Sequence, residues 1–142
     1  MRRPVSFILS LLVVAGGTTA AGIATASAST RAPQVVRASV KIASGTGCTP
    51  AASYCFKPIN KTVASGTKVT WKNPTIAPHT VTRCTALACS GLDGGTGTQT
   101  GFGSPTIVSG GKYSFKFTGA GTYNYYCSVH GFALMHGTIT VT

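Results

Sequence analysis

The sequence predicts an all-β chain, an antiparallel Greek-key β-sandwich of about seven to eight strands. Three observations carry that reading. Short runs such as KYSFKF (112–117) and TYNYYC (122–127) alternate between two faces, the period of a strand with one side buried. Clusters of Gly, Pro, Ser and Asn separate these runs at intervals suited to turns between short strands. No stretch of useful length carries a helical period, and no segment repeats another.

Taken in order, residues 1–28 read as a secretory signal peptide: Arg2 and Arg3, an apolar run over 5–15, then small residues ending in Ala26, Ser27 and Ala28. The run is too short to span a bilayer, so the expectation is export by the general secretory route. Cleavage after Ala28 would leave a soluble product, extracellular, periplasmic or at the cell surface. Residues 29–34 read as a flexible arm and 35–142 as one domain, with a first strand over 35–43. A turn at Ser65 and Gly66 leads into TKVTW, with Val69 and Trp71 inward. The loop 73–78 is framed by prolines and should hold His79 stiffly at the head of a strand HTVTR. Residues 91–103 are rich in Gly and Thr and read as a mobile surface loop. Turns at 109–111 and 119–121 introduce the next two strands, and the β-branched run 138–141 closes the chain.

Removing the signal leaves about 114 residues, enough for one core and not for two. The whole chain has twelve Lys plus Arg against one acidic residue, Asp93, and a formal net charge of +11. Paired-carboxylate hydrolysis, EF-hand calcium binding and two-metal phosphoryl transfer each need several acidic groups, so this composition excludes them. Lys57, Lys61, Lys68, Lys72, Lys112 and Lys116 are spaced singly, and Lys68, Lys72, Lys112 and Lys116 alternate with inward apolar residues. They read as solvated outer faces with a general attraction for anionic surfaces, not as a nucleic-acid site.

The residues that carry chemistry lie in 121–141, GTYNYYCSVHGFALMHGTITV. Cys127 ends an alternating strand, His130 follows after two residues and Met135 after four more. A thiolate, an imidazole and a thioether this close together suit copper, whereas zinc rarely takes methionine. A trigonal copper site with a long axial thioether needs a second imidazole from elsewhere in the fold. His136 directly follows Met135 and should project the opposite way, to the surface, which leaves His79. The cysteine count agrees. Five cysteines is an odd number for an exported chain; Cys48 with Cys55, and Cys84 with Cys89, could close two local loops, each adding roughly 2 to 2.5 kcal/mol, with Cys127 left over.

The pair VTWKNPTIAPHTVT and YYCSVHGFALMHGTITV resembles the plastocyanin and azurin family of small blue copper proteins, the cupredoxins, from about Val63 to the end. The resemblance implies a cupredoxin-like fold in which His79, Cys127, His130 and Met135 bind one copper ion. It also places Ser128 where the family has a small hydroxyl residue and Tyr123 where it has a buried tyrosine. One departure is Thr80, where many members carry asparagine; it bears on the tie between the two ligand loops and not on the ligands.

The function implied is outer-sphere transfer of single electrons between Cu(II) and Cu(I), not enzymatic turnover, by a monomer that does not insert into membranes. Transient redox protein partners, anionic ones steered by the lysines, would dock on an apolar patch of Pro78, Phe132 and Leu134. Two rivals remain in view. One is a non-redox copper carrier or store. The other is a metal-free immunoglobulin-like binding module, with Tyr125, Cys127, Trp71 and Cys55 as its core; that reading gives no role to His79, His130 or Met135 and leaves Cys48 unpaired.

Overall fold

The computed structural model describes residues 34–48 and 54–142. The expected signal peptide, nearly all of the arm and the Thr49-Pro50 turn lie outside them. Among the described residues eight strands form: β1 (Arg37–Ser44), β2 (Tyr54–Lys57), β3 (Asn60–Val63), β4 (Lys68–Lys72), β5 (Thr82–Arg83), β6 (Lys112–Lys116), β7 (Gly121–Tyr126) and β8 (His136–Val141). One sheet has the order β2-β1-β4-β6 and the other β3-β8-β7-β5. The only helical element among the described residues is the short 3₁₀ segment Gly45–Gly47.

Alternation in sequence becomes alternation in burial. Val40 and Ile42 of β1, Val69 and Trp71 of β4, Tyr123 and Tyr125 of β7, and Ile139 and Val141 of β8 all turn into one core between the sheets. Trp71 and Tyr125 meet edge-on at 5.5 Å, and Phe102 and Phe117 pack beside them. Aromatic side chains bury the largest areas available, and edge-to-face contacts add to that burial. Tyr123 is fully buried, and its hydroxyl is satisfied by the Gly119 carbonyl at 2.8 Å.

The eight-stranded sandwich agrees with the sequence reading, but its sheets are mixed. Four pairings are antiparallel, whereas β1 pairs with β4, and β3 with β8, in parallel. After β2 the chain leaves the first sheet to form β3 in the second, and it returns as β4 beside β1, running the same way. Alternation records which face is buried; it carries no information on the direction of the neighbouring strand.

Two local expectations are also corrected. The strand expected over HTVTR is reduced to Thr82–Arg83, while His79 makes a separate bridge to Ile107. Residues 91–103 are pinned to both sheets instead of hanging free. Arg83 donates to the carbonyls of Gly94 at 3.3 Å, Gln99 at 3.0 Å and Gly97, while its guanidinium lies over the Tyr123 ring. Gln99 bonds the backbone of Lys116 and Thr118, both at 2.8 Å, and Phe102 enters the core. Glycine here serves close approach: a Cβ on Gly97 would lie 2.2 Å from the Tyr123 ring.

Both cysteine pairs form disulfides, Cys48–Cys55 and Cys84–Cys89, and Cys127 is free and buried. The immunoglobulin-like arrangement, which needs Cys127 bridged to Cys55, is therefore not the one adopted.

Candidate metal centre

Two loops and the start of β2 converge at one end of the sandwich. The first, after β4, is organised by Asn73, whose buried amide donates to the carbonyls of Ala77 at 2.8 Å and Ile107 at 2.9 Å. Its side-chain oxygen accepts from the Thr75 backbone N–H at 3.0 Å and from the Thr75 hydroxyl at 2.7 Å. The loop is thereby folded on its own side chains and delivers His79, fully buried, with Nε2 2.9 Å from Thr75 Oγ1. The second loop runs from Cys127 to Met135 and closes on its own backbone. Gly131 N–H donates to the Cys127 carbonyl at 2.9 Å, Met135 N–H to the Gly131 carbonyl at 3.1 Å, and Cys127 N–H to the Met135 carbonyl at 2.9 Å. Gly131 has a φ of +80°, a left-handed conformation that glycine adopts without penalty. The third contributor is the start of β2, where the Tyr54 ring lies 4.8 Å from that of His79 and 4.7 Å from that of His130.

The result is a compact donor set. The candidate ligand atoms of His79, Cys127 and His130 all lie within 4.8 Å of one another. Both imidazoles turn Nδ1 toward the sulfur, at 3.8 Å for His79 and 3.3 Å for His130. Two donors sharing one first-row ion at about 2.0–2.3 Å stand roughly 3.3–4.0 Å apart, so these separations fit a single ion. Met135 is fully buried in the same core cluster as Cys127, one residue before β8. With the thioether included, the set is arranged as a site for one copper ion.

Thr80 makes the tie that the departure from asparagine left open. Its backbone N–H donates to Cys127 Sγ at 3.3 Å, and its hydroxyl accepts from Ser128 N–H at 2.8 Å and meets Ser128 Oγ at 3.0 Å. The sulfur thus receives a donor suited to a thiolate, and the two ligand loops are cross-linked by hydroxyls. Burial, followed by the facing His130, pushes the His79 pKa down to about 4, and burial also lowers that of His130. Neutral imidazoles are what a metal requires.

The matching family model, copper binding proteins of the plastocyanin/azurin family, covers residues 43–142. The chain belongs to that family. This cupredoxin is 37% identical to plastocyanin from Cucumis sativus over 63% of its own length and 89% of that protein. It is 33% identical to amicyanin-alpha of Methylorubrum extorquens over 56% of its length and 57% of that protein. Among solved structures, a purple cupredoxin from Nitrosopumilus maritimus superposes with a TM-score of 0.57 at 28% identity, covering 74% of this chain and 99% of that one. Copper is accordingly the cofactor of this cupredoxin.

Of the remaining residues singled out in the sequence, Pro78 and Leu134 are exposed at the same end, whereas Phe132 is only half-exposed and stacks on His136. His136 is exposed and donates from Nδ1 to the Phe132 carbonyl at 2.9 Å. Three contributors escaped the sequence reading. Asn73 and Thr75 carried a weak signal, since Asn-Pro-Thr is a sequence whose side chains bond their own backbone. Tyr54 carried none: its position over both imidazoles depends on the pairing of β2 with β1.

Proposed function

We propose that the protein is an exported blue copper electron carrier in which His79, Cys127, His130 and Met135 hold one copper ion. The observation that carries this reading is the state of Cys127: unbridged, fully buried, and faced by two imidazole nitrogens and one backbone N–H. When bound, copper supplies a one-electron Cu(II)/Cu(I) couple. The chain's own contribution is rigidity: the Asn73–Thr75 network holds one histidine, the closed 127–135 loop holds the other ligands, and Thr80 with Ser128 locks the two together. Little then has to move when charge changes by one. Four protein ligands leave no coordination position for a substrate, which argues for electron exchange over group transfer.

Partners would meet the ligand end. Pro78 and Leu134, with Ile76, which is 91% exposed, and Val129, are exposed on the two loops that carry His79 and the half-buried His130, and they give those loops an apolar rim. Such a rim suits brief docking of a redox protein, with lysines steering anionic ones. Export is supported by the N-terminal signal pattern and by two disulfides, which persist in oxidising compartments.

The decisive experiment adds Cu(II) to the purified protein and records its visible and paramagnetic-resonance spectra. Wild type should develop an intense sulfur-to-copper absorption that Cys127→Ser lacks, and the metal should cycle reversibly and resist chelators. A colourless product would refute the copper-thiolate assignment. A coloured product that surrenders its metal readily would instead mark a carrier or store.

A further inference from the structure

The lysines that look isolated in sequence are brought together by strand pairing. Lys57, Lys41, Lys72 and Lys112 stand in register on β2, β1, β4 and β6 and form one row across the first sheet. Four residues along, Arg37, Lys68 and Lys116 form a second row. All seven are exposed. They are seven of the nine Lys and Arg among the described residues; of the other two, Lys61 lies on β3 and Arg83 is tied to the 91–103 loop. Between the rows runs a trough of about 330 Å³ whose floor is Ser39, Thr70 and Ser114. Asp93, the chain's one acidic residue, turns its carboxylate onto the Gly95 N–H while its backbone carbonyl accepts from Asn124 of the opposite sheet, and it balances none of these charges. Like charges directly opposite one another destabilise a sheet, and this face has five such pairs.

We propose that this outer face docks a linear acidic polysaccharide, its charged groups reaching the two cationic banks and its hydroxyls meeting the hydroxyl floor. The banks stand about 13 Å apart, four residues along a strand, which admits one extended chain running across the strands. Other polyanions match less of the surface. A flat lipid headgroup layer would touch the banks and leave the recessed hydroxyls unused. A single-stranded nucleic acid would want aromatic platforms, and a protein partner would want an apolar centre; the outward residues of these strands are Lys, Arg, Ser and Thr, apart from Ala43 and the Cys48–Cys55 disulfide at one corner. Lysine, a hydrated point charge, outnumbers arginine six to one in the rows, which suits a loose, salt-dependent hold over a bidentate one. Because the face is the outer surface of a sheet and not the loop end that carries His130, a chain held there would leave electron exchange open.

The test titrates the folded protein with polygalacturonate at low and at physiological salt, with neutral dextran as control. Wild type should bind the polyanion, more weakly as salt rises, and should ignore dextran. Lys41→Gln/Lys72→Gln/Lys112→Gln should bind at least about tenfold more weakly at low salt, and Lys61→Gln about as wild type does. The opposite bank, Arg37→Gln/Lys68→Gln/Lys116→Gln, gives an independent variant should the first fail to fold. The proposal is overturned if wild type does not bind, if both bank variants bind like wild type, or if Lys61→Gln loses as much as they do. Tighter binding to phosphatidylserine vesicles, or to an oligonucleotide of matched charge, than to polygalacturonate would overturn it equally.

Discussion

Replacing Thr75 by valine removes one hydroxyl and keeps the side-chain shape, at a point where that hydroxyl has two close partners and a longer contact to the Ala77 carbonyl at 3.4 Å. With Nδ1 of His79 facing the sulfur, Nε2 carries the proton and donates to Thr75 Oγ1 at 2.9 Å; the threonine in turn donates to Asn73 Oδ1 at 2.7 Å. In the variant, Nε2–H is left buried without an acceptor, because His79 is fully buried. Asn73 Oδ1 keeps the Thr75 backbone donor, so the loss is concentrated on the imidazole. A buried polar group left unsatisfied costs about 1–3 kcal/mol, and loss of an outer-sphere partner lowers metal affinity about 10–100-fold. Thr75→Val should therefore lower the denaturant midpoint of the metal-free protein and speed copper loss to a competing chelator. Thr75→Ser, which restores the hydroxyl, should recover most of both. If Thr75→Val matches wild type in stability and in copper retention, the relay does not fix the His79 tautomer and the reasoning fails.

Leu134 is 56% exposed, so Leu134→Asp should slow electron exchange with a partner while the copper spectrum stays as it was; unchanged exchange would remove the apolar rim from the docking surface. Gly97→Ala forces a methyl group against the Tyr123 ring and should cost about 1–3 kcal/mol in chemical denaturation, whereas a mobile 91–103 loop would absorb it without loss. His79 is held at about pKa 4, below the unfolded value of 6.5, so the unfolded chain binds a proton first as pH falls. Stability of the metal-free protein should be full above pH 6.5 and decline toward pH 4 by up to about 3 kcal/mol; a flat midpoint over that window would contradict the burial of His79. Lys68 directly opposes both Arg37 and Lys116, so Lys68→Thr should raise the melting temperature at low salt, by about 0.5 kcal/mol of stability, and less at high salt.

Cys127, His130 and Met135 were legible in the sequence because one short loop contains all three, and ligand chemistry depends on residue type. The odd cysteine count agreed, and the structure pairs the other four locally. The inward parity of Tyr123, Tyr125, Val69 and Trp71 was equally legible, since a strand's period is written along the chain. His79 was reached by elimination among three histidines, an inference that only a chain so poor in ligands allows.

What tertiary structure alone decided depends on pairs of residues far apart in the chain. The parallel pairing of β1 with β4 sets Lys41 beside Lys72, and the antiparallel pairing of β4 with β6 sets Lys72 beside Lys112; single spacing along each strand conceals the row they make. Tyr54 reaches both imidazoles because β2 is laid along β1, and Thr80 meets Ser128 across 48 positions. The glycine-rich stretch 91–103 looks free in sequence because its own residues bury little, yet Arg83 of β5 donates to its carbonyls and its own Gln99 bonds the backbone of Lys116 and Thr118. Local chemistry and periodicity follow from covalent order; register, charge clustering and the satisfaction of buried polar groups arise only when the folded backbone brings distant segments into contact.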